Sequence, residues 1–162
     1  MQTAGRGPDS PSTALFATLP VTASGHLGNL GLDKDDGGKI MSSADHLGAY
    51  AGGWTNGDAA TILAAAANGF VFDDPNAGRI AKGDFAAYFA QLKETVDTIR
   101  GGTPQQNFMD FTEIVTNEEG GVMTAWCWWS IPGTDIQGSG LLKVSDDGVV
   151  SERIAYYTAL AG

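Results

Sequence analysis

Apolar positions along the chain switch from a helical to a strand-like period, and the switch points are marked by turn residues. From residue 42 onward, Leu47, Tyr50, Ala51 and Trp54 recur at i, i+3, i+4 and i+7, the stripe of an amphipathic helix. "TNGD" ends it, and Asp58 is placed to cap a second helix through "AATILAAAA" by accepting from its first free N–H groups. Asn68-Gly69 stops that helix, and "FVFD" reads as a short strand running into Asp73-Asp74-Pro75. After "AKGD", the stripe Phe85, Tyr88, Phe89, Leu92, Val96, Ile99 predicts a long third helix, closed by Gly101-Gly102.

The last third alternates instead. Strands are expected over 107–116, 121–131, 137–145 and 148–158, bounded by "NEEGG", "PGT" and "DDG", and "SDDGVV" is a tight hairpin signal. Helices grouped before consecutive strands imply an α+β fold, with helices on one face of a curved antiparallel sheet. A curved sheet wrapped round a long helix encloses a cone whose mouth is a natural small-molecule pocket. Residues 1–41 are rich in Gly, Pro, Ser, Thr and Asp without sustained period, and are expected to form an extension with little regular structure, leaving 42–162 as the domain. Within it, "LDKDDGGK" lacks the distal glutamate of a calcium-binding loop, and Met41 opens a stretch that looks like a natural protein start.

Composition narrows the function classes. The 162 residues fit one domain, and 43% apolar residues can fill a core. A net charge of −10 and a pI of about 4.3 repel phosphate backbones, so no nucleic-acid partner is expected. A lone Cys127 makes no intramolecular disulfide, and His26 and His46 are too few and too scattered for a zinc site. No apolar run is long enough to span a membrane. "ALFATLPVTA" is a poor signal segment, short and interrupted by proline, so the cytoplasm is the expected compartment. Nothing in the sequence calls for a metal or another cofactor.

Several residues stand out chemically. "TAWCWWS" places Trp126 and Trp128 on one strand face and Cys127 and Trp129 on the other. One face is expected to line the cavity and the other to pack in a subunit interface, where aromatics are enriched. Tyr50 and Trp54 lie one turn apart on the first helix, and a buried Tyr hydroxyl needs a partner. Asp73 and Asp74 point to opposite faces if their strand continues, and the one among aromatics would have a raised pKa suited to proton transfer. Glu152 alternates with Ile154 and Tyr156, so it is either a second buried acid or a surface residue with Arg153 inside. Arg79 and Lys82, after the acid pair, read as structural.

"HLGAYAGGWTNGDAATILAAAANGFVFDDPNAGRIAKGDFAAYFAQL" resembles the opening half of nuclear transport factor 2-like proteins, the superfamily of ketosteroid isomerase and the SnoaL-like polyketide cyclases. The resemblance covers about residues 43–158 and rests on "WTNGD", "VFDDP" and "RIAKGDFAAYF". It implies a cystatin-like cone, three N-terminal helices packed on a strongly curved antiparallel sheet enclosing a pocket. It places Tyr50 on the oxyanion-donating tyrosine of ketosteroid isomerases and Asp74, followed by Pro75, on their basic aspartate. Their second aspartate would fall near Ser139 or Gly140, where this chain has no carboxyl, and a missing donor of that kind costs about 3 kcal/mol of transition-state stabilisation.

The same resemblance puts Thr124, Trp126 and Trp128 on the cavity face of the meander and Glu152 on that of the last strand. Tyr50, Asp74 and Glu152 are thus the expected catalytic residues. Trp54, Tyr88, Thr124 and Trp126, with Trp128, Ser139, Leu142 and Tyr156, are the expected substrate-binding ones. The expected function is cofactor-independent proton transfer next to a carbonyl on a small apolar or aromatic substrate, as in an isomerase, cyclase or dehydratase. The alternatives are a non-catalytic module binding a small hydrophobic ligand, or a dimerising scaffold with a filled cone. A homodimer through an outer sheet face bearing Cys127 and Trp129 is expected under any of these.

Overall fold

The computed structural model describes residues 41–157; the expected extension, its "LDKDDGGK" loop and His26 lie outside the described residues. The first helix, α1 (Ser43–Asn56), starts at a capping box. Ser42 Oγ accepts from the Asp45 N–H at 3.2 Å, and Asp45 Oδ2 accepts from the Ser42 N–H at 3.0 Å. Asp58 caps α2 (Ala59–Ala65), accepting from the N–H groups of Ala60 and Thr61 and from the Thr61 hydroxyl, which holds its carboxyl below the usual range. The third helix, α3 (Phe85–Arg100), ends at Gly101. There Arg100 donates to the carbonyls of Pro132, Asn107 and Phe108, tying the helix end to the strand connections.

The sheet has six strands: β1 (Ala66–Asp74), β2 (Gly78–Ala81), β3 (Asp110–Glu119), β4 (Val122–Ser130), β5 (Gln137–Ser145) and β6 (Gly148–Tyr156). Two departures from expectation lie at the start. The alanine run 59–67 is not all helix. Ala66 pairs with Val149 of β6, its carbonyl accepts from Lys82 Nζ at 2.6 Å, and Ala65, Ala66 and Ala67 are buried, so tertiary pairing overrides helix propensity. β2 was not expected either: it is four residues long with only Ile80 buried, too short to show a period. It returns from β1 through a turn in which Asp74 Oδ1 accepts from the N–H groups of Asn76 (2.7 Å) and Ala77 (3.3 Å).

Strand order is β2-β1-β6-β5-β4-β3. All neighbours are antiparallel except β1 and β6, which run parallel, so the sheet is mixed rather than antiparallel. The parallel pair arises because α3 and the β3–β5 meander intervene between β1 and β6 and return the chain in the same direction. The sheet is not strongly curled, so the expected cone is flatter than the resemblance implied. One face is covered: Phe70, Phe72, Ala125, Trp129, Leu142 and Val144 are buried together with Tyr50, Trp54, Ile62, Phe85, Phe89 and Val96 of the helices. Rings of this core meet mostly edge to face, as Trp54 does with Phe85 at 5.9 Å and Phe89 at 5.2 Å.

The two faces of β4 are the reverse of those expected. Cys127 and Trp129 face the core at 2% and 3% exposure, whereas Trp126 and Trp128 are 46% and 38% exposed on the outer face. The cause lies in β5, where Gly138 pairs with Trp129 and Gly140 with Cys127. A Cβ on Gly138 would stand 2.5 Å from the Trp129 indole, so the absent side chain is the room the buried ring occupies. Thr124 shares the outer face, where its Oγ1 meets Lys143 Nζ at 2.6 Å, and Ser139 lies there opposite Trp128. The expected cavity-lining role therefore fails for Thr124, Trp126, Trp128 and Ser139, and Cys127 and Trp129 are core residues rather than part of an outer interface. No helix among the described residues is long and apolar enough to cross a membrane.

Candidate functional site

Two buried carboxyls, Asp74 and Glu152, stand on the inner face, each 4% exposed. Asp74 ends β1 and Glu152 is central in β6; alternation turns both toward the helices, while neighbouring Asp73 points outward to Arg153 at 3.7 Å. Asp74 is fully engaged. Besides the two backbone N–H groups of its turn, its Oδ2 accepts from Tyr88 Oη at 2.7 Å and Tyr156 Oη at 3.0 Å. Four donors occupy the lone pairs that a base would use. Burial and the hydrogen bond to Asp74 push both tyrosine hydroxyls upward, so they stay neutral donors. Phe72 against Tyr88 (5.4 Å) and Trp129 against Tyr156 (5.6 Å) fix the rings.

Glu152 is differently supplied. Its one hydrogen bond comes from Tyr50 Oη, at 2.6 Å to Oε2. Burial pushes the Glu152 carboxyl up to about 7; the Tyr50 hydroxyl and the Trp54 indole N–H act against that rise. Tyr50 itself is raised well above the usual phenol range by burial and by the negative charge beside it. The Trp54 N–H makes no hydrogen bond of ordinary length: its Nε1 is buried and has no partner, although it lies near enough to favour the charged forms of Tyr50 and Glu152. Glu152 Oε1 sits against Gly140, at which a Cβ would come within 2.6 Å of it. Glu152 thus reaches from β6 into the space that a side chain at Gly140 would take. Cys127 adjoins it, and burial, with the Glu152 charge second, pushes its thiol up to about 12, which makes it unreactive at neutral pH.

Glu152 borders two small cavities. One, of about 20 Å³, lies among Trp54, Tyr88, Leu92, Trp129 and Tyr156; the other, of about 10 Å³, lies among Leu47, Tyr50, Phe111, Cys127 and Leu142. The first has the capacity of about one water molecule. The expected ligand-sized pocket is therefore filled by core side chains in this structure. Of the expected binding residues, Trp54, Tyr88 and Tyr156 line the first cavity and Leu142 the second. A more open cleft of about 580 Å³, lined by Leu63, Asn68, Lys82 and Asp147, includes neither acid, and its lysine is tied to the Ala66 carbonyl. Among the described residues, no three His, Cys, Asp or Glu side chains are grouped to hold a metal ion. Sequence reasoning missed the pairing of Asp74 with Tyr88 and Tyr156, the approach of Gly140 to Glu152 and the buried position of Cys127; the alternate glycines of "QGSG" were the available signal.

No family model matches this sequence, and no curated protein does. Solved structures do. A nuclear transport factor 2-like protein from Anabaena variabilis is similar with a TM-score of 0.54 and 12% identity, covering 80% of this chain and 97% of that one. A protein from Kribbella flavida is similar with a TM-score of 0.51 and 23% identity, covering 70% and 84%. TerC, co-crystallised with polyporic acid, is similar with a TM-score of 0.52 and 13% identity, covering 71% and 91%. These likenesses show the fold: the chain has the nuclear transport factor 2-like architecture.

Proposed function

We propose that this chain is a small-molecule acid–base enzyme in which Glu152 moves a proton next to a carbonyl on an apolar or aromatic substrate. The observation that carries the reading is Glu152 itself: buried, held by one hydrogen bond, pushed up to about 7, and bordering a cavity also lined by Trp54, whose buried indole N–H has no hydrogen-bond partner. A carboxyl of that kind changes charge near neutral pH, where a general base works best. The ionised form removes the proton alpha to the carbonyl, and the Trp54 N–H donates to the enolate oxygen that forms. The proton then returns from Glu152 to another carbon, or to a leaving group. Tyr50 holds the carboxyl in place, and Asp74 holds Tyr88 and Tyr156 as the opposite wall. That division of labour differs from the one the resemblance implied, because Asp74 has no free lone pair and Tyr50 is committed to Glu152.

A substrate enters by displacing side chains. Tyr88, Leu92 and Tyr156 are half-buried, so they form the thinnest part of the cavity wall. TerC, which shares the fold and was co-crystallised with polyporic acid, supports the idea that this architecture can hold an organic ligand. Isomerase, cyclase and dehydratase chemistry all use the same proton transfer, and none requires a cofactor.

The second reading, a non-catalytic scaffold with a filled interior, is favoured by the size of the cavity and the saturation of Asp74. Hydrogen–deuterium exchange alpha to the carbonyl, followed by proton NMR across a panel of small cyclic and aromatic ketones, separates the two. Exchange that rises through about pH 7 and disappears in Glu152→Gln supports the enzyme. No exchange on any ketone, together with no binding of 2-naphthol as an enol mimic, would leave the scaffold.

A further inference from the structure

The two ends of the sheet are guarded unequally. Among the described residues β2 and β3 are the outermost strands, and each pairs on one side only. A bare strand edge offers unpaired N–H and C=O groups to any extended chain, and proteins usually blunt it by shortness, lysine, proline or a cover. β2 is four residues long and carries Arg79. β3 has ten residues, Asp110–Glu119, with no Lys, Arg or Pro, and Thr112–Glu119 are all exposed. Its one irregularity is the register shift between Phe111 and Glu113; from Glu113 to Glu119 the pairing with β4 is continuous. We infer that the free edge of β3 takes up, as an added strand, an extended peptide segment with an apolar centre flanked by Lys or Arg.

Side-chain order and charge name this occupant. Glu113, Val115, Asn117 and Glu119 pair with Trp128, Trp126, Thr124 and Val122, which puts them on the outer face, and Ile114, Thr116 and Glu118 on the inner one. At the middle, Ile114 and Val115 are 43% and 58% exposed, so each face offers an apolar residue to a neighbouring strand. Ile114 borders the smaller cavity with Leu47 and Phe111, and an apolar side chain beside it would extend that lining. Glu113, Glu118 and Glu119 flank this centre, and among the described residues none of them forms an ion pair. The same acids disfavour a second copy. Antiparallel pairing of two β3 edges about Val115 and Thr116 sets Glu113 of one copy opposite Glu118 of the other, on a chain that already carries −10. A basic segment meets the opposite field. Thr112–Glu119, at about 3.3 Å per residue, gives an edge of about 26 Å, enough for an octapeptide.

The test uses the full chain and the synthetic octapeptide acetyl-KKTVVTKK-amide, followed by fluorescence anisotropy of a labelled form. Binding is expected in the micromolar range at low salt and should weaken as salt rises. The acidic counterpart, acetyl-EETVVTEE-amide, should bind more weakly by about tenfold or more. Two further basic peptides carry N-methyl groups on alternate residues, one on the odd and one on the even positions. Only one of the two should lose binding, because a strand turns alternate N–H groups toward its neighbour. Glu113→Lys and Glu119→Lys, both at exposed positions, should each weaken binding about fivefold or more with an unchanged circular-dichroism spectrum. Equal binding of the two methylated peptides would reduce the contact to charge alone and overturn the added strand. No binding of the basic peptide at low salt overturns the proposal too. Sedimentation then shows whether a second copy, rather than a peptide, holds the edge.

Discussion

Asp74 and Glu152 have the same side-chain chemistry and the same 4% exposure, on adjoining strands of one sheet, yet they live in opposite circumstances. Asp74 accepts four hydrogen bonds, two from backbone and two from tyrosines. Glu152 accepts one, and burial moves it to about 7. Equal burial therefore does not give two carboxyls the same surroundings; they differ in the number of donors that meet them. One residue is a clamp that fixes the β1–β2 turn and two tyrosines, and the other is a carboxyl that burial pushes up to about 7.

The largest expected break in this comparison is Asp74→Ala. It strands two half-buried tyrosine hydroxyls and two turn N–H groups, and urea unfolding should show a loss of about 3 kcal/mol. Next is the pH response of Glu152. Its folded pKa of about 7 lies above the ordinary glutamate value of about 4.3 in the unfolded chain. The folded state therefore keeps a proton that the unfolded state has lost, and this contribution is complete below about pH 4.3 and disappears as pH rises toward 7. Glu152→Gln lacks the loss, so thermal scans at pH 8 should show the variant gaining on the wild type by at most about 3 kcal/mol relative to pH 4.

Tyr50→Phe is smaller, at about 1 kcal/mol for one hydrogen bond, but it sharpens the contrast. Removing the hydroxyl that opposes the rise should move the Glu152 midpoint further upward. Asp73→Asn, one residue from Asp74 but facing the exposed Arg153, should change stability by less than about 0.5 kcal/mol. Neighbouring aspartates would then differ by several-fold in effect.

The helices could be read from sequence because their signals are local: stripes at 3.6-residue spacing, the Asp58 cap and the terminal glycines. Strand alternation shows that β4 has two faces but not which is inside. That choice is made by Gly138 and Gly140 on the next strand, which leave room for Trp129 and for the Glu152 carboxyl. The start of β1 was hidden because an alanine run favours helix until β6 pairs with it. For the candidate site, Tyr50, Asp74 and Glu152 each sat on a recognisable stripe or alternation. Their partners did not, because Tyr50 meets Glu152 across 102 residues of sequence and Asp74 meets Tyr156 across 82.

The contrast between the two acids is tested most directly by carbon-13 NMR of the Glu152 carboxyl through a pH titration, with Glu152→Gln assigning the signal. A midpoint close to 7 in the wild type, moving upward in Tyr50→Phe, is the expected result. A midpoint near the ordinary value of about 4.3 would contradict it, and would leave Glu152 as one more structural carboxylate beside Asp74.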